Sequence, residues 1–487
     1  MKIIFIINST EIPVYLWECI MSVCKGIEGV SIDIFIDGKS NDKIFSSSIH
    51  SIDRRFSNFR KNPLELLDLE KNSTAHQNIK IIKEVSDLEE SDWIVLENKS
   101  FDTVGFSDLT KNGFLTFDIL PKKLAHLVFN SVSLELNILL KEPKNEQWSC
   151  CFKQKLSFEK GIKNNETKLL FHYSIYLVKF LKQKDSDQYI TFLDSKSSKD
   201  TNLKSNFIQL SIYYFKLSIV ILKRQVSRKK LNWKLAVIQN NQTHFIKQPK
   251  DSFWADPFVV LYGDDAVVYF EELKKDGIGQ ISCIVLDKDF EIKDKKVILN
   301  ADYHLSFPNV FLKNGHYYMI PETSANNDLQ LYQCDEFPFK WSFHSNIMED
   351  IKLIDAVWVF HDNLYWLFAN KIEDFEHDNN ERLNLYYSES LFTPNWIPHC
   401  MNPIVTNSES SRNGGAIFDE EGKLYRMAQN CLNGYGKNLV INEIKELSVT
   451  NYLEEKIECI FPPKKYVGMH TINKKDNIKV VDFMIYE

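Results

Sequence analysis

No two of the nine cysteines stand at a CxxC spacing. They are scattered at 19, 24, 150, 151, 283, 334, 400, 431 and 459, and their number is odd. This argues against a disulfide framework and a structural zinc site, and for a reducing compartment. No Gly-x-Gly-x-x-Gly follows the first apolar run, so a dinucleotide site has no support. No cofactor-binding or metal-ligating pattern stands out elsewhere, and neither a cofactor nor a metal is expected. There is no large excess of either charge: the net charge is −7 over 487 residues, which gives no reason to expect a nucleic-acid partner. The opening Met-Lys-Ile-Ile-Phe-Ile-Ile lacks a long apolar core and a small-residue cleavage site, so it reads as a first β-strand and not as a signal peptide. That lack argues against a secreted, polymer-degrading hydrolase.

What the chain does have is apolar content of 44%, enough for ordinary cores, and 13% aromatics. The composition and the hydrophobic period change along its length, and two or three domains are expected. Residues 1–140 read as α/β. Strand-length apolar runs occur at Lys2 to Ile7, Ser31 to Ile36, Ile79 to Ile82 and Trp93 to Leu96, with helical spacing from Val14 to Val23. Strand–helix–strand order implies a parallel, helix-covered sheet of Rossmann type. Residues 141–230 read as a helical and linker region, with helical spacing from Lys168 to Leu181 and a mostly polar stretch after it. It ends in a 16-residue apolar run, Phe207 to Leu222, and the basic run 223–230. The apolar run is too short for a confident span, but apolar run plus basic flank suits contact with an anionic membrane surface. The alternative is an inter-domain helix packed on both neighbours.

From about 232 the pattern switches to short β runs with turn signals, repeating near every 50 residues. The clearest unit is a tip such as Asn314-Gly315, then a Tyr-bearing strand, then a polar residue at the strand end. Glu271, Glu322, Asn370 and Asn430 fall in register in this reading, and upstream of each tip stand Asp256, Phe307, Asp355 and Gly415, with His470 in the last unit. A repeat of that length fits a four-stranded propeller blade, and residues 231–487 are expected to form an all-β, five-bladed propeller. Trp233 to Gln239, ahead of the first unit, could complete the last blade and close the ring.

Residues in register at the inner strands face one another across the channel of such a ring. Asp256, Glu322 and Asp355 are the candidate catalytic residues, because one buried carboxyl can act as acid while another serves as base or nucleophile. Trp254, Glu271, His304, Asn370, Arg412, Asn430 and His470 are candidate substrate-binding residues, with Trp254, Phe307 and Trp358 as rings to stack on a sugar and Arg412 to meet an anionic group. Each has a plainer alternative. An Asp before Pro is usually a turn residue, and buried histidines and aromatics are commonly structural.

Two stretches carry a family resemblance. Ser91-Asp92-Trp93-Ile94-Val95-Leu96 and Asn112-Gly113-Phe114-Leu115-Thr116-Phe117 resemble the formyltransferase-like domain of the sugar and methionyl-tRNA formyltransferases. Where that family leads into a histidine this chain has Asp118, so the domain is expected to be degenerate and to transfer no formyl group. Phe253-Trp254-Ala255-Asp256-Pro257-Phe258, Tyr303-His304-Leu305-Ser306-Phe307-Pro308 and Pro321-Glu322-Thr323-Ser324-Ala325-Asn326, with Asp355-Ala356, Leu367-Phe368-Ala369-Asn370 and Tyr425-Arg426-Met427-Ala428-Gln429-Asn430, resemble the N-terminal propeller of the glucosamine inositolphosphorylceramide transferase group. That propeller is similar to those of five-bladed glycosidases. The resemblance implies a bacterial protein, a formyltransferase-like domain followed by the propeller. It also implies a carbohydrate-active transferase of capsule or O-antigen assembly. In the glycosidase-like relatives an Asp like Asp256 is base or nucleophile, one like Asp355 orients, and a Glu like Glu322 is the acid, although the order along this chain, Asp, Glu, Asp, departs from theirs. The implied partner is a sugar or glycan, lipid-linked or nucleotide-activated. The expected location is cytoplasmic, at the inner face of the membrane. A furanosidase-like glycoside hydrolase and a non-catalytic glycan-binding scaffold remain as alternatives.

Overall fold

The structure is a computed structural model. It describes residues 1–37, 66–73, 76–97, 101–117, 134–157, 162–183, 215, 231–250, 252–274, 277–372 and 380–486. The chain divides into two compact units, Met1–Ser218 and Ile219–Glu487. Asp118, nearly all of the apolar run 207–222 and the basic run 223–230 lie outside the described residues.

The first unit contains strands β1 (Lys2–Ile7) and β2 (Glu11–Pro13), helix α1 (Val14–Gly26), strands β3 (Ser31–Ile36) and β4 (Leu66–Asp68), and the short helix α2 (Leu69–Ser73). Strands β5 (Ile79–Ile82), β6 (Trp93–Leu96), β7 (Phe114–Phe117), β8 (Leu134–Lys141) and β9 (Ser149–Leu156) follow, then helix α3 (Ile162–Gln183). Seven strands form one mixed sheet in the order β5-β3-β1-β6-β7-β8-β9, parallel as far as β7 and antiparallel beyond it.

The expected Rossmann-type, formyltransferase-like domain is corrected by this arrangement. Among the described residues only β1 and β3 are joined through a helix of several turns. The connections β5 to β6 and β6 to β7 hold single 3-10 segments, Val85–Asp87 and Val104–Leu109. One core joins Ile3, Phe5 and Ile7 to Leu16, Ile20, Tyr173 and Leu177, so α1 and α3 lie on one face of the sheet. The other face, with Ile4, Ile6, Ile94 and Phe114, is closed by Leu88, just after the first of those segments, and by Phe106 in the second. A doubly wound fold needs helices on both faces. The alternation of apolar runs was read as strand–helix–strand throughout, but short loop residues do the covering here. Within the region expected as helical linker, 141–230, β9 extends the sheet and α3, which contains the helical stretch Lys168 to Leu181, packs into its core; 184–230, apart from residue 215, lies outside the described residues. No helix among the described residues is long and apolar enough to cross a membrane.

The second unit is a five-bladed β-propeller. It opens with β10 (Leu231–Gln239) and β11 (Gln242–Phe245). Blade one is β12 (Phe253–Tyr262), β13 (Asp265–Leu273), β14 (Gly279–Leu286) and β15 (Ile292–Leu299). Blade two is β16 (Ser306–Lys313), β17 (His316–Glu322), β18 (Asp328–Glu336) and β19 (Lys340–Glu349). Blade three is β20 (Leu353–His361), β21 (Leu364–Lys371), β22 (Leu383–Ser388) and β23 (Ile397–Pro398). In blade four the inner strand is split into β24 (Arg412–Asn413) and β25 (Phe418–Glu420), both paired with β26 (Lys423–Asn430), and β27 (Asn438–Leu447) and β28 (Tyr452–Ile460) complete it. Blade five takes its inner strands, β29 (Ile472–Lys475) and β30 (Ile478–Tyr486), from the end of the chain and its outer strands, β10 and β11, from the start of the propeller. Its central ladder runs from Leu231↔Tyr486 to Gln239↔Ile478, as the sequence suggested for Trp233 to Gln239. Closure of this kind ties the two ends of the ring together and leaves only short, protected edges.

The inner hairpins share one design. Their two-residue turns favour positive φ at both positions, and Asn314-Gly315, Asp362-Asn363 and Glu421-Gly422 adopt it. Toward the channel the inner strand then bulges, between Ala255 and Phe258, between Ser306 and Asn309, and between Ile354 and Val357. The residue at each bulge, Asp256, Phe307 and Asp355, has φ of 53°, 45° and 50°. Side chains rarely adopt that region, so the ring holds a costly backbone conformation at a repeated place. In blade four the corresponding stretch is Gly414-Gly415, between the two parts of the inner strand, with φ 147° at Gly415.

Candidate functional site

Each bulge turns a backbone N–H inward, where the preceding blade meets it. Asp355 N–H donates to Glu322 Oε2 (3.2 Å), and Asp256 N–H donates to Asp482 Oδ2 (3.0 Å). Both acceptors stand at the same ladder position. Glu322 lies two residues after Ile320, which pairs with Asn309, and Asp482 lies two after Val480, which pairs with Asn473. Asn309 and Asn473 in turn donate to the next blade's carbonyls, Ala356 (3.1 Å) and Pro257 (2.8 Å). That equivalence places Thr471 level with Asp256, Phe307 and Asp355, and corrects the sequence reading, which put His470 there. Counted from the turns, Gln429 stands level with Glu271, Glu322 and Asn370, one residue before the Asn430 that the sequence reading chose.

The ring gathers seven of the ten predicted residues. Asp256 is buried and accepts from Thr471 Oγ1 (2.8 Å, at Oδ1) and Phe307 N–H (3.3 Å, at Oδ2). His470 bridges two carboxylates, its Nε2 3.0 Å from Asp256 Oδ1 and its Nδ1 2.9 Å from Asp482 Oδ2. Asp482 also accepts the backbone N–H groups of His470 and Thr471, both at 3.0 Å. Burial alone would hold His470 neutral, but the charges of Asp482 and Asp256 outweigh it and push its pKa up to about 10. Burial likewise works to raise Asp256, and the His470 charge, the hydrogen bonds from His470 and Thr471, and Arg412 together hold it below the ordinary carboxylate value. Asp256, His470 and Asp482 are residue types that also bind metals. Protonated, His470 ties the two carboxylates into one ionic bridge; deprotonated, it would join them in offering one ligand atom each to a metal ion.

The other groups surround this bridge. Glu271 Oε1 lies 3.1 Å from His304 Nε2, and the other His304 nitrogen accepts from Gly279 N–H (3.0 Å). Burial raises the Glu271 pKa, opposed by His304 and helped by the negative charge of Asp256. The hydrogen bond to Glu271 raises His304 in turn, against its burial. Arg412 Nε donates to Asp355 Oδ2 (2.6 Å), and Gln429 Nε2 donates to the same oxygen (3.0 Å). Asn413 Nδ2 donates to the Asp355 carbonyl (2.8 Å). Burial raises Asp355, partly offset by Arg412. Glu322 is partly buried and accepts from Ser324 Oγ (2.8 Å) as well as Asp355 N–H. Burial and the Asp355 charge push its pKa up to about 8, although Arg412 and its two donors pull the other way. At neutral pH the site thus pairs a protonated carboxyl, Glu322, with an ionised one, Asp256, the separation that acid–base work requires.

Three of the ten, Trp254, Asn370 and Asn430, do not join the cluster, nor do the two further rings, Phe307 and Trp358. Trp254 is fully buried and faces the core between blades. It packs on Phe270 at 4.6 Å and donates from Nε1 to Glu272 (3.1 Å), so it offers no face to a sugar. Phe307 is equally buried, at 5.1 Å from Phe258, and Trp358 packs on Phe311 at 4.7 Å. Asn370 is buried and spends its amide on the Arg382 carbonyl (2.7 Å). Asn430 caps the following loop, its Oδ1 accepting from Leu432 N–H (3.1 Å). The sequence reading missed Asp482, Thr471 and Gln429. Aligning the fifth hairpin on its ladder instead of its turn would have found Asp482, because that hairpin is two residues shorter than the others on each arm.

Residues 214–477, which cover the propeller up to the turn of its last hairpin, match the family described as "Glucosamine inositolphosphorylceramide transferase 1, N-terminal". The chain belongs to this family. Glucosamine inositolphosphorylceramide transferase 1 of Arabidopsis thaliana is 35% identical over 212 residues, 42% of this chain and 27% of that protein. The protein of the same name from Oryza sativa subsp. japonica is 34% identical over 207 residues, 42% of this chain and 28% of its own length. The match thus spans little more than a quarter of these relatives. Among solved structures, a family 117 glycoside hydrolase from Zobellia galactanivorans has a TM-score of 0.37 at 10% identity, covering 52% of this chain and 90% of that one. An α-L-arabinofuranosidase from Podospora anserina also has a TM-score of 0.37, at 8% identity, covering 50% of this chain and 94% of its own.

Proposed function

We propose that this chain is a carbohydrate-active transferase whose sugar site is the carboxylate cluster of the propeller, and that it serves the assembly of a bacterial surface polysaccharide such as a capsule or O-antigen. The observation that carries the reading is the opposed state of two carboxyls of the ring, Glu322, beside Asp355 and held protonated with a pKa of about 8, and Asp256, held ionised. Membership in a family named for a sugar transferase supports it. In this reading Glu322 is the general acid and protonates the leaving oxygen. Asp256 already accepts from Thr471, Phe307 and His470, so its role is a fixed negative charge that favours a positively charged sugar transition state. Asp355, tied to Arg412, orients both. Glu271, His304 and Arg412 bind hydroxyl or charged groups of the substrate.

The donor or acceptor in this proposal is lipid-linked or nucleotide-activated, and the work is done at the cytoplasmic face of the membrane. The basic run 223–230 supports that location, since anionic lipid headgroups attract such segments. The same acid–anion split also suits glycoside hydrolysis, which is the second reading. The test uses the full chain with a panel of nucleotide sugars and lipid-linked acceptors. Glu322→Gln should lower product formation by about 100-fold or more, the usual worth of a general acid. Release of free sugar without an acceptor would move the assignment to hydrolysis. Unchanged glycan output in cells carrying both Glu322→Gln and Asp256→Asn would overturn both enzyme readings in favour of a scaffold.

A further inference from the structure

Of the rings that the sequence offered for sugar stacking, Trp254 and Phe307 are buried and the half-buried Trp358 packs on Phe311, yet one aromatic beside the cluster is open. Tyr435 lies in the loop between β26 and β27 and is 38% exposed, whereas Trp233 and His470 behind it are buried. Arg412 stands over its ring at 4.8 Å from the centroid. His470 lies at 5.3 Å and Trp233 meets it edge-on at 6.4 Å. The loop itself is pinned. Gly434 N–H donates to the Cys431 carbonyl (3.2 Å), Lys437 N–H to the Asn430 carbonyl (3.1 Å), and Met469 N–H to the Gly436 carbonyl (2.9 Å). Gly436 has φ 59°, and a Cβ there would stand 2.9 Å from His470 Cβ and 3.1 Å from the Trp233 ring. An exposed aromatic held this firmly loses little conformational entropy when it meets a ligand, which is the property a binding platform needs.

We propose that Tyr435 is the platform on which the sugar ring of the substrate rests, a specificity-determining residue for a pyranose that presents an unbroken face of C–H bonds. This rests on the sugar-site reading above and adds the residue that sets ring orientation. Tyr435 and Glu322 flank the same Arg412–Asp355 pair, so a ring stacked on the phenol has the candidate acid on the side of that pair. At neutral pH the phenol is a neutral donor. It can therefore give a hydrogen bond to a ring hydroxyl while its face packs on carbon.

The test is saturation-transfer NMR of the full chain with the methyl glycosides of glucose, galactose, mannose, glucosamine and N-acetylglucosamine, followed by titration of the best binder. Ring C–H protons of one face should receive most of the saturation. Tyr435→Phe should keep affinity within about threefold and Tyr435→Ala weaken it about tenfold or more, since aromatic contact is worth roughly a factor of ten. Tyr435→Leu, which keeps bulk in the loop, should behave like Tyr435→Ala if the flat ring matters. Wild-type affinity in both Tyr435→Ala and Tyr435→Leu, with loss in Glu271→Gln, would overturn the platform and leave the sugar site standing. If no glycoside binds the wild type, the sugar site falls and the platform with it.

Discussion

Raising the pH should loosen the propeller at one identifiable place, the imidazolium of His470. Its pKa is pushed up to about 10 from an ordinary value of 6.5 by Asp482 and Asp256, against its burial. Between those two values the folded chain holds a proton that the unfolded chain has released. Stability therefore falls as pH rises through this window, with the contribution complete below 6.5 and gone above about 10. At ~1.4 kcal/mol per pH unit the gap corresponds to on the order of 5 kcal/mol, comparable with the cost of breaking a buried ion pair. Glu322, raised from 4.5 to about 8, acts in the same direction over its own window. Asp256, held below 3.8, acts in the opposite one, losing its contribution as pH falls. The cluster should thus contribute most on the mildly acidic side. Urea denaturation of the full chain at pH 6.5 and 9.5 measures the effect, with His470→Gln as the comparison. The wild type should lose stability over that interval and the variant much less. If His470→Gln does not fold, histidine-selective NMR of the wild type replaces it, where one imidazole should stay protonated at pH 8.5. Equal pH slopes in wild type and variant, or no imidazole titrating above pH 8, would refute the reasoning.

Three further outcomes follow from the same geometry. Activity should decline as pH rises through about 8, where Glu322 loses its proton, and Asp355→Asn should move that decline to lower pH because a negative neighbour is removed; a pH–rate profile of the two proteins decides it. Gly436→Ala should destabilise the propeller by ~1–3 kcal/mol in thermal or urea unfolding, since the residue combines φ 59° with close approach to His470 and Trp233. Val237→Asp in β10 should cost ~3 kcal/mol or more, because it puts an unpaired charge at a fully buried position of the closing ladder, and limited proteolysis should then cut within the propeller.

Much of the propeller was legible because its repeat is written in backbone chemistry. Asp256, Phe307 and Asp355 were placed in register from spacing alone, and all three share a bulge with positive φ. The turn residues around Asn314-Gly315 carried the same information. Spacing failed where the repeat changes length. The short fifth hairpin hid Asp482, and an error of one residue put Asn430 in place of Gln429, which reverses the face a strand residue presents. Trp254 was misjudged because an aromatic beside an acid reads the same whether it faces a channel or an inter-blade core. Tyr435 lies in a loop, where no period applies. In the first unit apolar strand runs were read correctly, but runs of that kind do not say what covers them, and 3-10 segments with Leu88 and Phe106 take the place that helices were expected to fill.

The closing blade sets an order of events in the life of the chain. His470 needs Asp482, which arrives on β30, and Asp256, which lies more than two hundred residues earlier on β12. Trp233, against the His470 ring at 4.0 Å, comes from the opening strand β10. A ribosome that has made four blades has therefore made Glu271, Glu322, Asp355 and Arg412 without the charge that settles Asp256. The cluster comes into being only when the chain has been synthesised past Tyr486 and the two ends of the propeller have met. Chemistry at this site would then report that the ring has closed, and a stalled or clipped propeller would be inert before it was unfolded.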